Sequence, residues 1–317
     1  MELGRNFANK VWNACRFLQM KKAEVPGPKS QDPSPLTAEQ MSTADRWILS
    51  RYHTTVQAAT AALAAYRITE YARILYDFIW RDFCDWYVEV VKVQYAGNDD
   101  AQYRQALMDH AFAIIDGALL LLHPVMPFIT EELYHGLFDV AEDESISTRQ
   151  APVVDEALIL PDVEHNFELL QSIVESLRRQ RAEMQISPGQ KLPVSISAPS
   201  DIVYFIEEQR EIITSFARCS DLQIGTGLVK PSGAVADVVR GIEIFLVVEG
   251  AVDLAKERER LAKELERLAK AIGGVEKKLG NDAFVKGAKP EVVETERKKL
   301  RDWLDAKEKI EKNLTSL

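Results

Sequence analysis

Four side chains near the start of the chain have the chemistry needed to bind an unpaired nucleic-acid strand. They are Asn6, Lys10, Asn13 and Phe17, and helical spacing would place them on one stripe. Lysine attracts phosphate, an asparagine amide pairs with base edges, and an exposed aromatic ring stacks on a base. In the alternative interpretation Phe17 borders the core and Lys10 is a solvated charge. Spacing alone favours this alternative.

Catalytic and metal-binding motifs are missing from the sequence. It contains no Walker P-loop, GxGxxG, HExxH or GxSxG. The isolated cysteines predict buried free thiols in a reducing compartment rather than a metal knuckle or a disulfide framework. They are Cys15, Cys84 and Cys219. The histidines lack carboxylate or cysteine partners at ligand spacing, so we interpret them as structural and predict no metal site. They are His53, His110, His123, His135 and His165.

Composition predicts a globular protein of two or three domains, with 317 residues, 46% hydrophobic and 28% charged. The longest uncharged apolar stretch, Gly117–Leu122, is too short for a bilayer, and charges interrupt any signal peptide. We therefore expect a cytoplasmic location. The net charge is −10, but residues 251–317 carry 17 Lys and Arg against 14 Asp and Glu. A basic limb of an acidic protein can still bind RNA.

Residues 1–145 have the apolar spacing of an antiparallel helical bundle. Gly, Asn and Pro separate the predicted helices, which are Glu2–Met20, Ala44–Tyr66, Arg67–Tyr95, Asp99–Leu122 and Phe128–Phe138. Thr43 or Ser42 would cap the second helix. The five rings of Phe78–Tyr87 predict core packing, because exposing several would favour aggregation. Arg81 and Asp85 are spaced for a surface ion pair.

Two further regions follow a linker at residues 146–165. Residues 166–250 predict a small α/β subdomain, with helices at Asn166–Met184 and Ile202–Arg218. Its predicted strands are Leu192–Ser197, Leu222–Gly227, Gly233–Val238 and Ile242–Val248. Residues 251–317 carry two heptad seams, from Leu254 to Leu279 and from Val293 to Leu317, and predict an antiparallel coiled-coil hairpin with an exposed tip. Gly273-Gly274 interrupts its first helix, where we expect the arm to bend or fray.

Five blocks of the chain, in order, resemble the C-terminal half of bacterial valyl-tRNA synthetases. They are GRNFANKVWNACRF at 4–17, DRWILSR at 45–51, FIWRDFCDWYVE at 78–89, HPVMPFITEELY at 123–134 and DAFVKGAKPEVVETERKKL at 282–300. The resemblance covers essentially the whole chain. It implies a mainly α fold: an anticodon-binding bundle of the class I type, the α/β subdomain and the coiled-coil arm.

The resemblance also implies a function, which is to recognise the anticodon loop and the outer corner of valine tRNA. Lys10 and Phe17 match the family's anticodon-binding positions, and Asn6 and Asn13 share their stripe. In the family the arm reaches the outer corner, where we expect contacts from Lys277, Lys278, Lys298 and Lys299. Arg178, Arg179 and Arg181 could meet phosphate or pair with glutamates. The implied partner is tRNA, without DNA or membrane, and the implied state is a monomer.

Catalysis is expected to need residues outside this sequence. Enzymes of this family join valine to its tRNA with ATP and Mg²⁺, using HIGH and KMSKS motifs, and neither motif is present. We therefore expect the chain to need no cofactor and to be inactive alone.

Two alternatives stay open at this point. The same bundle occurs in isoleucyl-tRNA synthetases, although the AFVKGAKPEVV hairpin and the lack of terminal cysteines arranged for zinc favour valine. A coiled-coil module that binds protein partners would also carry charged helical faces.

Overall fold

A computed structural model describes residues 2–25, 35–141, 143–251, 254–281 and 290–316. The chain is mostly helical with one small mixed sheet, as the sequence predicts. It forms two compact units, Met1–Leu169 and Leu170–Leu317. The division falls inside a helix, Pro161–Glu183, and the domain boundaries drawn from the sequence stay predictions.

The first unit is built mainly of helices. They are α1 Glu2–Glu24, α2 Thr43–Ala64, α3 Ile68–Asp77, a π-helical segment Phe78–Tyr87, α4 Val88–Gly97, α5 Ala101–Leu122 and α6 Pro127–Leu137. Each predicted helix of the bundle is present, within a few residues at its ends. Part of the proline-rich stretch after α1, residues 26–34, lies outside the described residues.

Ser42 caps α2 with a reciprocal capping box. Its hydroxyl accepts a hydrogen bond from the Asp45 N–H, and the Asp45 carboxylate accepts one from the Ser42 N–H at 2.9 Å. The same carboxylate accepts hydrogen bonds from the Tyr87 hydroxyl at 2.9 Å and the Gln94 amide at 3.0 Å. The start of α2 is thereby fixed to the following helices, since Asp45 is fully buried and needs these donors.

The aromatic block forms the π-helical segment of a longer helical run. Phe78, Phe83, Trp86 and Tyr87 are buried, which confirms the predicted packing role, and Trp80 is half-buried. The ion pair predicted between Arg81 and Asp85 is wrong. Arg81 pairs with Asp77 at 3.5 Å, because Asp85 faces α1 and pairs there with Lys10.

Residues 146–164, most of the predicted linker, lie on the bundle. Two short 3₁₀ turns occur there, Ile146–Thr148 and Glu156–Leu158. Arg51 connects the segment to the core, with Nε 2.9 Å from Asp82 Oδ2 and Nη1 3.1 Å from Glu164 Oε2. These contacts explain why the first compact unit extends beyond residue 145.

The second unit contains a four-stranded mixed sheet in the order β2-β1-β4-β3. Its elements are the remainder of α7 Pro161–Glu183, β1 Leu192–Ser197, α8 Ser200–Glu208, α9 Arg210–Phe216, β2 Cys219–Gly225, β3 Ala234–Val239 and β4 Ile242–Val247. Strand β1 pairs parallel to β2 and antiparallel to β4. All four strands were predicted, whereas the predicted helix Ile202–Arg218 is two helices that meet at Gln209.

Two long helices end the chain, α10 Leu254–Leu279 and α11 Pro290–Ser316, and they contact each other. Buried seam residues include Leu261, Ile272, Val275 and Val293. The predicted fraying at Gly273-Gly274 is wrong, since α10 is helical through both glycines. Most of the predicted tip, residues 282–289, lies outside the described residues, as do the Leu254 side chain and Leu317. The coiled coil itself stays a prediction.

One helix, α5, is long and apolar enough to cross a membrane by length and composition, with 78% of its most apolar window buried within the structure. The prediction from Gly117–Leu122 missed this window because it considered only uninterrupted apolar stretches. A buried core helix passes the same test, so the match is weak evidence for a span.

The three cysteines are buried free thiols, as predicted. Burial raises the pKa of the Cys84 thiol to about 12 and that of the Cys219 thiol to about 11. Protonated, buried thiols of this kind are chemically inert. Among the described residues no three His, Cys, Asp or Glu side chains are grouped to hold a metal ion.

Candidate nucleic-acid interface

The apolar face of α1 lies against the bundle and sets the direction of its other side chains. Phe7, Val11, Ala14 and Leu18 are buried, as their spacing predicts. The ring of Phe7 stacks on Tyr76 with centroids 5.1 Å apart. With this face fixed, the stripe predicted to bind nucleic acid borders the contact between α1 and the π-helical segment.

Lys10 is held at that border by two contacts. Its ammonium forms an ion pair with the Asp85 carboxylate and lies 3.7 Å from the centroid of the Trp80 ring. The lysine side chain is 22% exposed and the aspartate 48%. The simple alternative of a solvated charge is therefore wrong. Lys10 is a partly sheltered cation in a defined position beside an aromatic face.

Phe17 is half-buried, which lies between a core ring and a free platform. The ammonium of Lys92 is 5.0 Å from the centroid of the Phe17 ring, and Lys92 also pairs with Glu89 at 2.5 Å. One part of the ring therefore packs within the bundle and another is accessible. A base could stack on the accessible part with a cation close by.

Asn6 and Asn13 are exposed on the same stripe. Neither side-chain amide has a hydrogen-bond partner among the residues that the structure describes, so donors and acceptors are available on both. The structure thus brings the four predicted residues together along one side of α1. Their contact with RNA stays a prediction.

Sequence reasoning missed a second stripe on α1. Trp12 is 42% exposed, although tryptophan is usually buried to a greater extent. Arg5, Asn9 and Arg16 are exposed beside it, and neither arginine has an ion-pair partner within the described part of the chain. Helical spacing was the available signal, because these positions are opposite Phe7, Val11 and Leu18. An aromatic ring flanked by cations suits a nucleic-acid surface.

The four lysines predicted on the arm differ in their surroundings. Lys278 and Lys299 both approach the Glu296 carboxylate, at 3.8 Å and 3.0 Å. Their hydrogen bonds and charge, that of Lys299 foremost, lower the pKa of Glu296. Lys277 and Lys298 are exposed and form no ion pair within the described ranges. The latter two are the better candidates for phosphate contact.

The three arginines at the end of α7 also differ in their contacts. Arg179 forms an ion pair, as the second alternative predicts, but its partner is Asp237 of β3 rather than a nearby glutamate. Arg178 packs on the Phe216 ring, with its guanidinium carbon 5.4 Å from the centroid. Arg181 is buried and donates to two backbone carbonyls, Ser187 O at 3.2 Å and Gln190 O at 2.5 Å.

Three of the histidines contact neighbouring residues in the described structure. His53 Nδ1 accepts a hydrogen bond from the Asp155 N–H at 3.1 Å. His123 Nδ1 lies 2.8 Å from the Thr130 hydroxyl, and His135 Nε2 lies 3.3 Å from Glu131. The recurring features are surface amides, rings and cations, which suit recognition of a polyanion with accessible bases.

Two sequence families match the chain in succession. The first, described as the anticodon-binding domain of tRNA ligase, covers residues 45–196. The second, described as the valyl tRNA synthetase tRNA binding arm, covers residues 253–317. They correspond to the region from α2 into β1 and to the final helical pair. Helix α1, with both candidate stripes, precedes the first match.

Curated relatives are similar over the whole chain. The valine–tRNA ligase of Thermosynechococcus vestitus is 38% identical over 100% of this chain and 34% of the relative. That of Halalkalibacterium halodurans is 39% identical over 98% and 35%. That of Chlorobaculum tepidum is 32% identical over 100% and 36%. The chain thus spans about a third of the length of these relatives, in their C-terminal part.

Proposed function

The chain belongs to the valyl-tRNA synthetase family, and from this premise we propose that it selects and orients valine tRNA for a catalytic body that it does not contain. The observation that carries the proposal is the order of the two matched domains, an anticodon-binding domain followed by a tRNA-binding arm. The names of the relatives supply the valine specificity.

Helix α1 contributes the anticodon contact in this proposal. An anticodon is a single-stranded loop whose bases can turn outward, so it is recognised by stacking and by amide hydrogen bonds. Phe17 supplies the ring, Asn6 and Asn13 supply the amides, and Lys10 supplies a positioned cation. Trp12 and Arg16 extend the same surface beyond the residues predicted from the sequence.

The arm, as an antiparallel coiled-coil hairpin, contributes a contact with the outer corner of the tRNA. Support comes from the contact between α10 and α11 and from the buried seam residues Leu261, Ile272 and Val275. The exposed Lys277 and Lys298 provide positive charge that α10 and α11 do not neutralise by ion pairs among the described residues. Phosphate contacts of this kind position a nucleic acid without reading its sequence.

The alternatives have less support. No comparison favours an isoleucyl enzyme, since the arm family and the relatives both name valine. A protein-binding coiled coil would explain residues 251–317 but not the anticodon-binding match at 45–196. We further propose that the chain is a monomer and works in the cytoplasm. ATP and Mg²⁺ are needed only by the catalytic part of the larger enzyme.

A direct titration tests the proposed function. The purified chain should bind valine tRNA more tightly than a tRNA with an unrelated anticodon, and both affinities should fall as salt rises because counterions are released. Equal affinity for the two tRNAs would contradict anticodon recognition. The lack of any salt-dependent binding would contradict the function as a whole.

A further inference from the structure

We propose that four cations on one edge of the second unit, Arg178, Arg181, Lys191 and Arg218, form an additional site for the phosphate backbone of the tRNA. We call this set the Arg218 cluster. The inference depends on the proposed function, because it takes tRNA as the ligand. It adds a contact outside α1 and the arm, and Arg218 lies between the two matched families, in residues 197–252.

Backbone contacts bring Lys191 and Arg218 together. The Leu192 N–H donates to the Arg218 carbonyl at 3.2 Å, so the start of β1 lies beside the residue that precedes β2. Leu192 also pairs with Cys219 in the parallel register. Lys191 and Arg218 each directly precede one of these adjacent strands. They therefore lie at the same end of the sheet.

Helix α7 adds two arginines at this edge. Arg181 donates to the carbonyls of Ser187 and Gln190, and Gln190 directly precedes Lys191. Arg178 lies one helical turn earlier, with its Nε 3.4 Å from the Phe216 carbonyl. The sequence runs from Phe216 through Ala217 to Arg218, so both arginines of α7 lie close to Arg218.

Two members of the cluster carry charges that no described carboxylate pairs with. Lys191 and Arg218 are exposed, and neither has an ion-pair partner in the described part of the chain. Nη1 of the buried Arg181 lacks a hydrogen-bond partner there. By contrast, Arg179 pairs with Asp237 and Arg210 with Glu207. Residues 166–250 contain eight Lys and Arg in all, so half of them are concentrated in this cluster.

These cations also repel one another. Burial lowers the pKa of Arg181, Cys219 acts in the opposite direction, and the positive charge of Arg218 lowers this pKa again. A site that gathers like charges gains stability when a polyanion binds. Several fixed cations along an edge match the repeated phosphates of a nucleic-acid backbone better than a single small anion.

The backbone at Arg218 is strained, which makes a clean substitution available there. Its φ is +56°, in the left-handed region, just after α9 ends. Glycine is the usual residue at such a helix end because a Cβ is unfavourable there. Arginine at this position therefore costs backbone energy, as it does at Arg240, where φ is +50°.

This strain allows a clean experiment. Arg218→Gly removes the cation and relieves the backbone, so the melting temperature should stay the same or rise. Combined with Lys191→Ala, it should weaken binding of valine tRNA by roughly five- to ten-fold at low salt. The slope of log affinity against log salt concentration should become shallower by about one for each lost contact. Because phosphate contacts carry no sequence information, the ratio of valine tRNA to unrelated tRNA should not change.

Arg240→Gly is the matched control, since Arg240 is another exposed arginine of the second unit with positive φ, at +50°. It should leave affinity and salt dependence unchanged. Equal binding by the wild type and the Arg218→Gly, Lys191→Ala variant would overturn the inference, as would an equal loss in the control. If the wild type itself binds no tRNA, the proposed function fails as well. This result differs from the failure of the cluster alone, in which the wild type and the double variant bind tRNA equally.

Discussion

Lys10 of α1 and Asp85 of the π-helical segment form an ion pair across the face where the anticodon contact is proposed. The same ammonium lies 3.7 Å from the Trp80 ring centroid. The lysine is therefore positioned before RNA arrives, and less side-chain entropy is lost on binding than for a free lysine. The nearby carboxylate reduces the net charge that a phosphate meets.

Replacing Asp85 with asparagine should strengthen binding of a valine anticodon stem-loop. Removing one exposed negative charge beside the lysine is worth about 0.5 to 1 kcal/mol, or roughly two- to five-fold in affinity. The melting temperature should change little, since both members of the pair are partly exposed. Stem-loop titration and thermal melting measure the two quantities.

Asp77→Asn serves as the control for this substitution, because Asp77 pairs with Arg81 and Arg73. It removes the same charge without touching Lys10. Tighter binding only in Asp85→Asn would support the assigned role of Lys10. Weaker binding in Asp85→Asn would contradict it.

Replacing the two arm lysines that lack ion pairs should weaken binding of whole tRNA. In the double variant Lys277→Ala, Lys298→Ala, two phosphate contacts are lost. The slope of log affinity against log salt concentration should therefore become shallower by up to about two. Binding of an isolated anticodon stem-loop, which lacks the outer corner, should stay the same. Titrations of both RNAs at several salt concentrations measure the effect.

Lys263→Ala with Lys270→Ala provides the comparison on α10, where each lysine is already paired with a glutamate, Glu259 and Glu266. The same charge is removed at positions with a local partner. An equal loss of tRNA affinity in both double variants would show that the arm acts only through its total charge. No loss in either would leave the arm without an RNA contact.

Two buried histidines should make the bundle sensitive to acid. Burial lowers the pKa of both His53 and His110 below 6.5 in the folded chain. The unfolded chain therefore binds more protons as the pH falls below about 6.5. Their contribution to stability is fully present above that pH and is lost below it, by at most about 1.4 kcal/mol per pH unit for each histidine.

His53→Gln should flatten this pH dependence, because its amide oxygen can accept the Asp155 N–H without titrating. Denaturant unfolding at pH 7.5, 6.5 and 5.5 measures the effect. His165→Gln, at an exposed position, is the control and should behave as the wild type. If the free energy of unfolding changes with pH by the same amount in both variants, His53 is not a source of acid sensitivity.

The sequence predicted the helices and strands well because their apolar spacing is regular. Where it erred, the cause was tertiary. The π-helical form of Phe78–Tyr87 was not predicted, and Asp85 pairs with a residue 75 positions away rather than with its neighbour Arg81. The break at Gln209 and the intact helix at Gly273-Gly274 also depend on context that local propensity does not contain.

The candidate site was predictable in composition but not in detail. Spacing identified the stripe from Asn6 to Phe17, and it could have identified Trp12 opposite the core. It could not show that Lys10 lies on Trp80, or that Lys92 lies near the Phe17 ring, because these partners come from other helices. The Arg218 cluster is likewise formed by residues far apart in the chain.

Titration of a valine anticodon stem-loop with Phe17→Ala tests the central claim most directly when it is paired with thermal melting of the same protein. If the ring stacks on a base, affinity should fall roughly five-fold to more than a hundred-fold, corresponding to about 1 to 3 kcal/mol. Stability should stay nearly intact. Lys10→Ala should also weaken binding without unfolding the bundle. Unchanged binding in both variants would contradict the account, as would a loss of stability of about 3 to 5 kcal/mol in Phe17→Ala, which would identify Phe17 as a core residue.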